Sequence, residues 1–115
     1  MRVLVVEDEY FIANEICAAL RLCGANVLGP APDNERALEL VGTTAVDCAV
    51  LDINLHGQRD FALAEEFRRR GVPTIFATGY DETIVPGSLA MTKRLEKPVD
   101  LRTLLRSVKS AVRGG

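Results

Sequence analysis

The chain has 115 residues, 48% of them hydrophobic, which fits one domain with a core large enough to need no cross-links. A net charge of −2, with basic residues scattered along the sequence, lacks the electrostatic footprint of a nucleic-acid binder, and no apolar run approaches the ~18 residues of a membrane span. Cys17, Cys23 and Cys48 sit in apolar contexts without CxxC spacing and read as buried thiols in a reducing cytoplasm, and the acid at Glu7 comes too early for a signal peptide.

Taken in chain order, strand-like apolar runs alternate with stretches of helical period, which predicts a parallel sheet with helices on both faces. The first strand, 2–6, is followed at once by three acids, Glu7, Asp8 and Glu9. A helix is predicted over 9–23, with Phe11, Ile12, Ile16, Ala19 and Leu20 supplying its apolar spacing and Gly24 placed to end it. A strand over 26–28 comes next. Asp33 then caps a second helix, whose Ala37, Leu38 and Val41 face inward until Gly42 stops it. The third strand is 48–51, and a third helix starts near Asp60 as cap, buries Leu63, Ala64 and Phe67, and ends at Arg68, Arg69 and Arg70, where cations suit a helix C-terminus. Strands at 74–77 and about 92–95 follow. Between them Pro86 and Gly87 allow at most a short helix. The last helix, 100–112, carries the stripe Leu101, Leu104, Leu105, Val108 and Val112. No repeat, low-complexity tract or linker interrupts the chain, so residues 1–115 are expected to be one domain without an output domain.

In a doubly wound parallel sheet, ligands bind beyond the carboxyl ends of the strands, where the strand order reverses. The polar residues at those ends are therefore the candidates. The first strand ends in Glu7 and Asp8, the third in Asp52 with Asn54 two residues on, the fourth in Thr78, and the fifth in Lys97 before Pro98. Each has an ordinary reading too. Asp8 or Glu9 can cap the following helix, Thr78 can be a turn residue before Gly79, and a lone lysine is commonly solvated. Asp52 is different, because an acid directly after Val50 and Leu51 has no helix nearby to cap. A Lys-Pro peptide can also be cis, which would aim the ammonium. If the first and third strands are neighbours, three carboxylates converge on one crevice, flanked by a hydroxyl and an ammonium, and a divalent cation would relieve their repulsion.

These residues together resemble the receiver domain of two-component response regulators, over the whole chain. The resemblance implies a flavodoxin-like, doubly wound, five-stranded parallel sheet of order 2-1-3-4-5 with helices on both faces. It implies an acidic pair at Glu7 and Asp8, a phosphoacceptor at Asp52, a switch hydroxyl at Thr78 and a site ammonium at Lys97 in its Lys-Pro pair. Mg²⁺ would be held by Glu7, Asp8, Asp52 and the backbone carbonyl of Asn54. Asp52 would take a phosphoryl group from a phosphohistidine on a histidine kinase or histidine phosphotransfer protein, and a downstream regulator protein could read the result. The chain would be a signalling protein that promotes its own phosphorylation and dephosphorylation, not an enzyme in the usual sense. No nucleic-acid or membrane partner is expected, and the chain is expected to be cytoplasmic, a monomer or weak dimer. The stretch "FATGY" further resembles one found in alphaproteobacterial stand-alone receivers.

The sequence departs from the family pattern at several places. Glu7 stands where many receivers have Asp, and His56 where proline is frequent; His56 reads as a loop residue. Arg94 occupies the position of an inward-swinging aromatic, a slot where a guanidinium is costly without a partner, so it is expected to pair with Asp81 or Glu82 or to face a partner protein. Tyr80 is a candidate to take over part of that aromatic role. Among other classes, a flavodoxin-like cofactor binder lacks the Gly-rich phosphate cradle, an aspartate phosphatase would want an acid where Asn54 stands, and a pseudo-receiver would act only through contacts, whereas every key side chain is present. A phosphate sink and an activator of a partner are both compatible outputs.

Overall fold

Val3, Leu4, Val5 and Val6 are all buried in β1 (Arg2–Val6), the apolar run expected of a strand covered on both faces. The computed structural model describes residues 1–43, 45–55, 58–59, 61–78, 86–89 and 91–114. In chain order β1 is followed by α1 (Tyr10–Leu22), β2 (Asn26–Ala31), α2 (Asn34–Thr43), β3 (Cys48–Asp52), the short β4 (Asn54–Leu55) and β5 (Gln58–Arg59), α3 (Ala62–Arg70), β6 (Thr74–Thr78), a 3-10 turn (Gly87–Leu89), β7 (Lys93–Glu96) and α4 (Leu101–Gly114). The main sheet is parallel, in the order β2-β1-β3-β6-β7, which is the predicted 2-1-3-4-5 when the five long strands are counted alone. Antiparallel β4 and β5 form a separate hairpin that the sequence pattern did not foretell.

The strands alternate their side chains between two cores. Val3, Val5, Cys48, Val50, Ile75 and Leu95 pack under α1 and α4, against Ile16, Leu20, Leu104 and Val108. Leu4, Val6, Ala49, Leu51 and Phe76 pack on the other face, against Ala37, Leu63 and Phe67 of α2 and α3. The cap expected at Asp33 is formed, and a second, not expected from the sequence, forms at Asp100. Asp33 Oδ1 accepts the backbone N–H of Arg36 at 2.9 Å, and Asp100 Oδ1 accepts those of Arg102 and Thr103. Gly24, at φ +92°, ends α1: its N–H donates to Arg21 and that of Ala25 to Leu20, so two orphan carbonyls are satisfied.

Several expectations need correction. Phe11 is exposed and stacks edge-on against exposed Tyr10, because the buried stripe of α1 follows Ile12, Ile16 and Leu20, about half a turn away from Phe11. Leu38 is 41% exposed, and Leu40 turns toward the core in its stead, beside Ala37 and Val41, which face inward as expected. Cys17 and Cys48 are buried free thiols, whereas Cys23, past the end of α1, is half-buried. Burial raises the Cys17 thiol and pushes that of Cys48 up to about 12, so both stay protonated. Strand β2 runs three residues beyond the predicted 26–28, through a cis Gly29-Pro30 peptide. Asp60 lies outside the described residues, and Phe61 holds the N-cap position of α3. Of the predicted interruption at Pro86 and Gly87, the described part is the 3-10 turn; residues 79–85 lie outside the described residues.

Candidate functional site

The site is built by register. Val6 of β1 pairs with Leu51 of β3, so the next residues, Glu7 and Asp52, leave the sheet side by side. Both continue, at period two, the row of side chains that faces α1 and α4, and Lys97 continues the same row two residues after Leu95 of β7. Three side chains from three strands therefore turn to one place. Lys97 Nζ lies 3.1 Å from Glu7 Oε1 and 3.1 Å from Asp52 Oδ2, donating a hydrogen bond to the latter. The Lys97-Pro98 peptide is cis.

Glu7 and Asp52 are 3% and 5% exposed and are the buried charged residues among those described. Glu7 is anchored from two sides: its backbone N–H donates to Ala31 of β2 at 3.0 Å, and its Oε2 accepts the N–H of Glu9 at 3.2 Å. Its Oε1 is buried and accepts no hydrogen bond, the approach of Lys97 being an ion pair without hydrogen-bond angles. Burial is the main cause that drives the Glu7 carboxyl up to about 8, reinforced by a shared hydrogen bond with Asp52 and by that residue's charge, and opposed by Lys97. Burial of Lys97 favours its neutral form, but Asp52 and Glu7 outweigh this and hold the ammonium above its ordinary range.

Asp8 joins the pair. One carboxylate oxygen from each of Glu7, Asp8 and Asp52 lies within 4.8 Å of the others. Glu9 holds the N-cap position of α1 but makes no side-chain cap bond there, so the cap reading does not account for it. A buried carboxylate oxygen that accepts no hydrogen bond and has only the Lys97 ammonium against it, beside two further carboxylates, fits a small, hard divalent cation such as Mg²⁺, which takes oxygen ligands.

The other candidates fall as follows. Thr78 ends β6, its backbone in register with Glu96, and its side chain lies outside the described part. Asn54 opens β4 two residues beyond Asp52, and its side chain too lies outside the described part. Tyr80, Asp81, Glu82 and His56 lie outside the described residues. Arg94 sits on β7 opposite Phe76 and is exposed, so its guanidinium avoids the buried slot. One contributor was not expected from the sequence. Gly29, at φ +97°, lets β2 bulge so that two of its residues, Gly29 and Pro30, lie opposite the single residue Val5 between Leu4 and Val6, and Ala31 then meets Glu7. The signal for it was the Gly-Pro pair directly after a strand run.

A family model described as the response regulator receiver domain matches residues 3–109. The chain belongs to this family. Receivers are the phosphoacceptor modules of two-component systems, and they hold Mg²⁺ at an acidic pocket of this kind. The positive alginate biosynthesis regulatory protein of Pseudomonas aeruginosa is 34% identical over 119 residues, covering 98% of this chain and 48% of the relative. The sensory transduction protein LytR of Staphylococcus haemolyticus is 31% identical over 112 residues, covering 94% of this chain and 44% of the relative. This receiver thus spans about half the length of the curated relatives it matches. Among solved structures, SdrG from Sphingomonas melonis superposes with a TM-score of 0.84 at 27% identity, covering 97% of this chain and 96% of that one. The receiver domain of the hybrid histidine kinase CckA gives a TM-score of 0.80 at 30% identity, covering 98% of this chain and all of that one. Among the described residues, no helix is long and apolar enough to cross a membrane.

Proposed function

We propose that this receiver accepts a phosphoryl group on Asp52 from a phosphohistidine of a partner kinase or phosphotransfer protein, and passes the signal on through protein contacts. The observation that carries the reading is Asp52 itself: a buried carboxylate at a strand end, held by an ammonium 3.1 Å away and adjoining two further acids. A carboxylate oxygen of Asp52 attacks phosphorus, the P–N bond to the histidine breaks, and the imidazole leaves with a proton from solvent. Lys97 stays cationic throughout and holds a phosphoryl oxygen as charge moves off the leaving nitrogen, so its part is positioning and charge neutralisation. Glu7, Asp8, Asp52 and the carbonyl of Asn54 would hold Mg²⁺, which supplies charge neutralisation for the phosphoryl oxygens when bound. Thr78, whose backbone ends the strand beside β3, would donate to the transferred group and draw the following loop inward. Water attack at phosphorus resets the site. The protein works in the cytoplasm, as a signalling module that turns over no substrate of its own beyond the phosphoryl group.

The test is incubation of the purified chain with a small phosphodonor such as acetyl phosphate, with Mg²⁺ or with chelator, followed by intact mass. A gain of one phosphoryl group is expected with Mg²⁺ only, and none in Asp52→Asn. Labelling that persists in Asp52→Asn would place the acceptor elsewhere. Absence of labelling in the wild type, with partner binding retained, would favour a receiver-like module that acts through contacts alone. Beryllofluoride gives a second readout, since SdrG has been solved in a BeF₃-activated conformation. Its addition here is expected to shift amide resonances at Asp52 and at the end of β6.

A further inference from the structure

Helices α2 and α3 cover the face of the sheet opposite to α1 and α4, packing on Leu4, Val6, Ala49 and Leu51. Both lead from one parallel strand to the next, so they run the same way. A cleft of about 540 Å³ opens between them, bordered by Leu38 on α2 and by Ala62, Leu63, Glu66, Arg69 and Arg70 on α3. Leu38 is 41% exposed at its rim. A lone exposed leucine is ordinary on a protein surface. Here the apolar knob and an open hollow share one face, which is what a two-fold contact between identical surfaces requires.

The charges of this face are uneven in a matching way. On α2, Arg36 pairs with Glu39, and Glu35 in the first turn forms no ion pair among the described residues. On α3, Arg68 pairs with Glu65, whereas Arg69 and Arg70 share Glu66, which leaves one guanidinium charge over. Leu38 lies three residues after Glu35, on the same side of the helix. The surplus carboxylate therefore sits at the start of α2 and the surplus cation at the end of α3, on diagonal corners of one face. A two-fold axis lying in the face, at right angles to that diagonal, exchanges the two corners. It sets Glu35 of each copy over Arg69 and Arg70 of the other, with both Leu38 side chains turned into the opposite cleft.

We propose that the face formed by α2 and α3 is a contact between two copies of this chain, in which each Leu38 enters the other copy's cleft and each Glu35 pairs with the Arg69 and Arg70 end of the other copy's α3. A foreign partner would need only the hollow or only the knob. A second copy accounts for both, and for opposite surplus charges at corners that the symmetry exchanges. Leu38 supplies the affinity, because apolar burial drives association, whereas ion pairs exposed to water add little and set the orientation. Two helices about 15 Å and 14 Å long, each about 10 Å across, give a face of roughly 300 Å² in projection, below the ~800 Å² per partner of a stable complex. The dimer is therefore weak, with a dissociation constant on the order of 100 µM.

Sedimentation velocity of the purified chain in reductant, from about 10 µM to about 1 mM, tests this. The weight-average mass is expected to rise toward twice that of the monomer, and concentration-dependent amide shifts to centre on α2 and α3. Leu38→Gln is expected to weaken association about tenfold. The charge reversals Glu35→Arg and Arg69→Glu, each checked for an unchanged circular dichroism melt, should each weaken self-association about threefold to tenfold, since like charges then meet at both corners. An equimolar mixture of these two variants should associate more tightly than either alone, because both corners of the mixed dimer carry opposite charges. Wild type that stays monomeric throughout, shifts centred on another face, undiminished association of Leu38→Gln, or a mixture of the reversed variants no tighter than either alone would each overturn the proposal.

Discussion

Glu7→Gln is expected to stabilise the metal-free protein above neutral pH and to flatten its pH dependence. In the folded chain the Glu7 carboxyl is raised from the ordinary 4.5 to about 8, chiefly because it is buried. The folded state therefore binds a proton that the unfolded state has already released. For such a group the slope of stability with pH is negative, because the native state holds more protons. Its contribution is fully present below about 4.5, declines as pH rises, and is lost above about 8. At roughly 1.4 kcal/mol per tenfold change in proton affinity, the whole span corresponds to a loss on the order of 5 kcal/mol, and relaxation with water entry reduces it to about 2 to 5 kcal/mol. Glutamine mimics the neutral acid in shape and hydrogen bonding and cannot ionise. Urea unfolding of wild type and Glu7→Gln in chelator, at steps from pH 5 to pH 9, isolates the effect from other carboxylates, since only the difference matters. The two should be nearly equal at pH 5, with the variant ahead by a few kcal/mol at pH 9. Adding Mg²⁺ at pH 8 should then raise the wild type more than the variant, because a ligand oxygen is missing from the latter. A gap that stays flat from pH 5 to pH 9 would refute the reasoning, because it would mean that Glu7 is ionised at no cost in the fold.

Lys97→Met removes the cation that lies 3.1 Å from both Glu7 and Asp52, and at pH 8 in chelator it should lower the unfolding free energy by up to about 3 kcal/mol, with Mg²⁺ restoring part of the loss; urea titration with and without the ion decides this. Gly29→Ala places a Cβ 2.6 Å from Ala31 N and 2.8 Å from Val5 O at a φ of +97°, and thermal unfolding should show a loss above about 2 kcal/mol, with weaker Mg²⁺ binding because Ala31 no longer meets Glu7. Asp33→Ala removes an exposed cap from α2 and should cost about 1 kcal/mol in the same melts while leaving phosphoryl labelling unchanged.

The strands were legible because a parallel sheet covered on both faces demands unbroken apolar runs, and Val3 to Val6 and Cys48 to Leu51 supply them. The site was legible for the same reason: each run ends abruptly in a charge, and such a residue has no ordinary structural task. Asp33 announced its helix by being a short acid before an apolar period, whereas the cap at Asp100 emerged only in the structure. What stayed hidden depended on neighbours. Two i, i+4 series compete in α1, one through Phe11 and one through Ile12, and only packing against β1 and β2 selects the second. Gly29 and Pro30 read as strand breakers, but a positive φ at Gly29 turns them into a bulge that the neighbouring strand accommodates. The basic residues looked scattered because a linear count ignores that four of them share one face of α4.

The dependence of the chemistry on strand register ties these observations together. Glu7 and Asp52 are adjacent only because Val6 lies opposite Leu51, and that pairing is enforced by burying Val3, Val5 and Val50 on one face and Leu4, Val6 and Leu51 on the other. A slip of one residue between β1 and β3 would send the side chains of one of the two strands to the wrong core and carry Glu7 to the opposite face from Asp52. The two apolar cores thus hold together a cluster of acids that would otherwise separate, and the repulsion within that cluster is tolerable because it is small beside the burial lost in any slipped register. Lys97 relieves part of that repulsion between Glu7 and Asp52. The rest leaves the Glu7 carboxyl raised to about 8, and a divalent cation or a proton among the three acids relieves what remains.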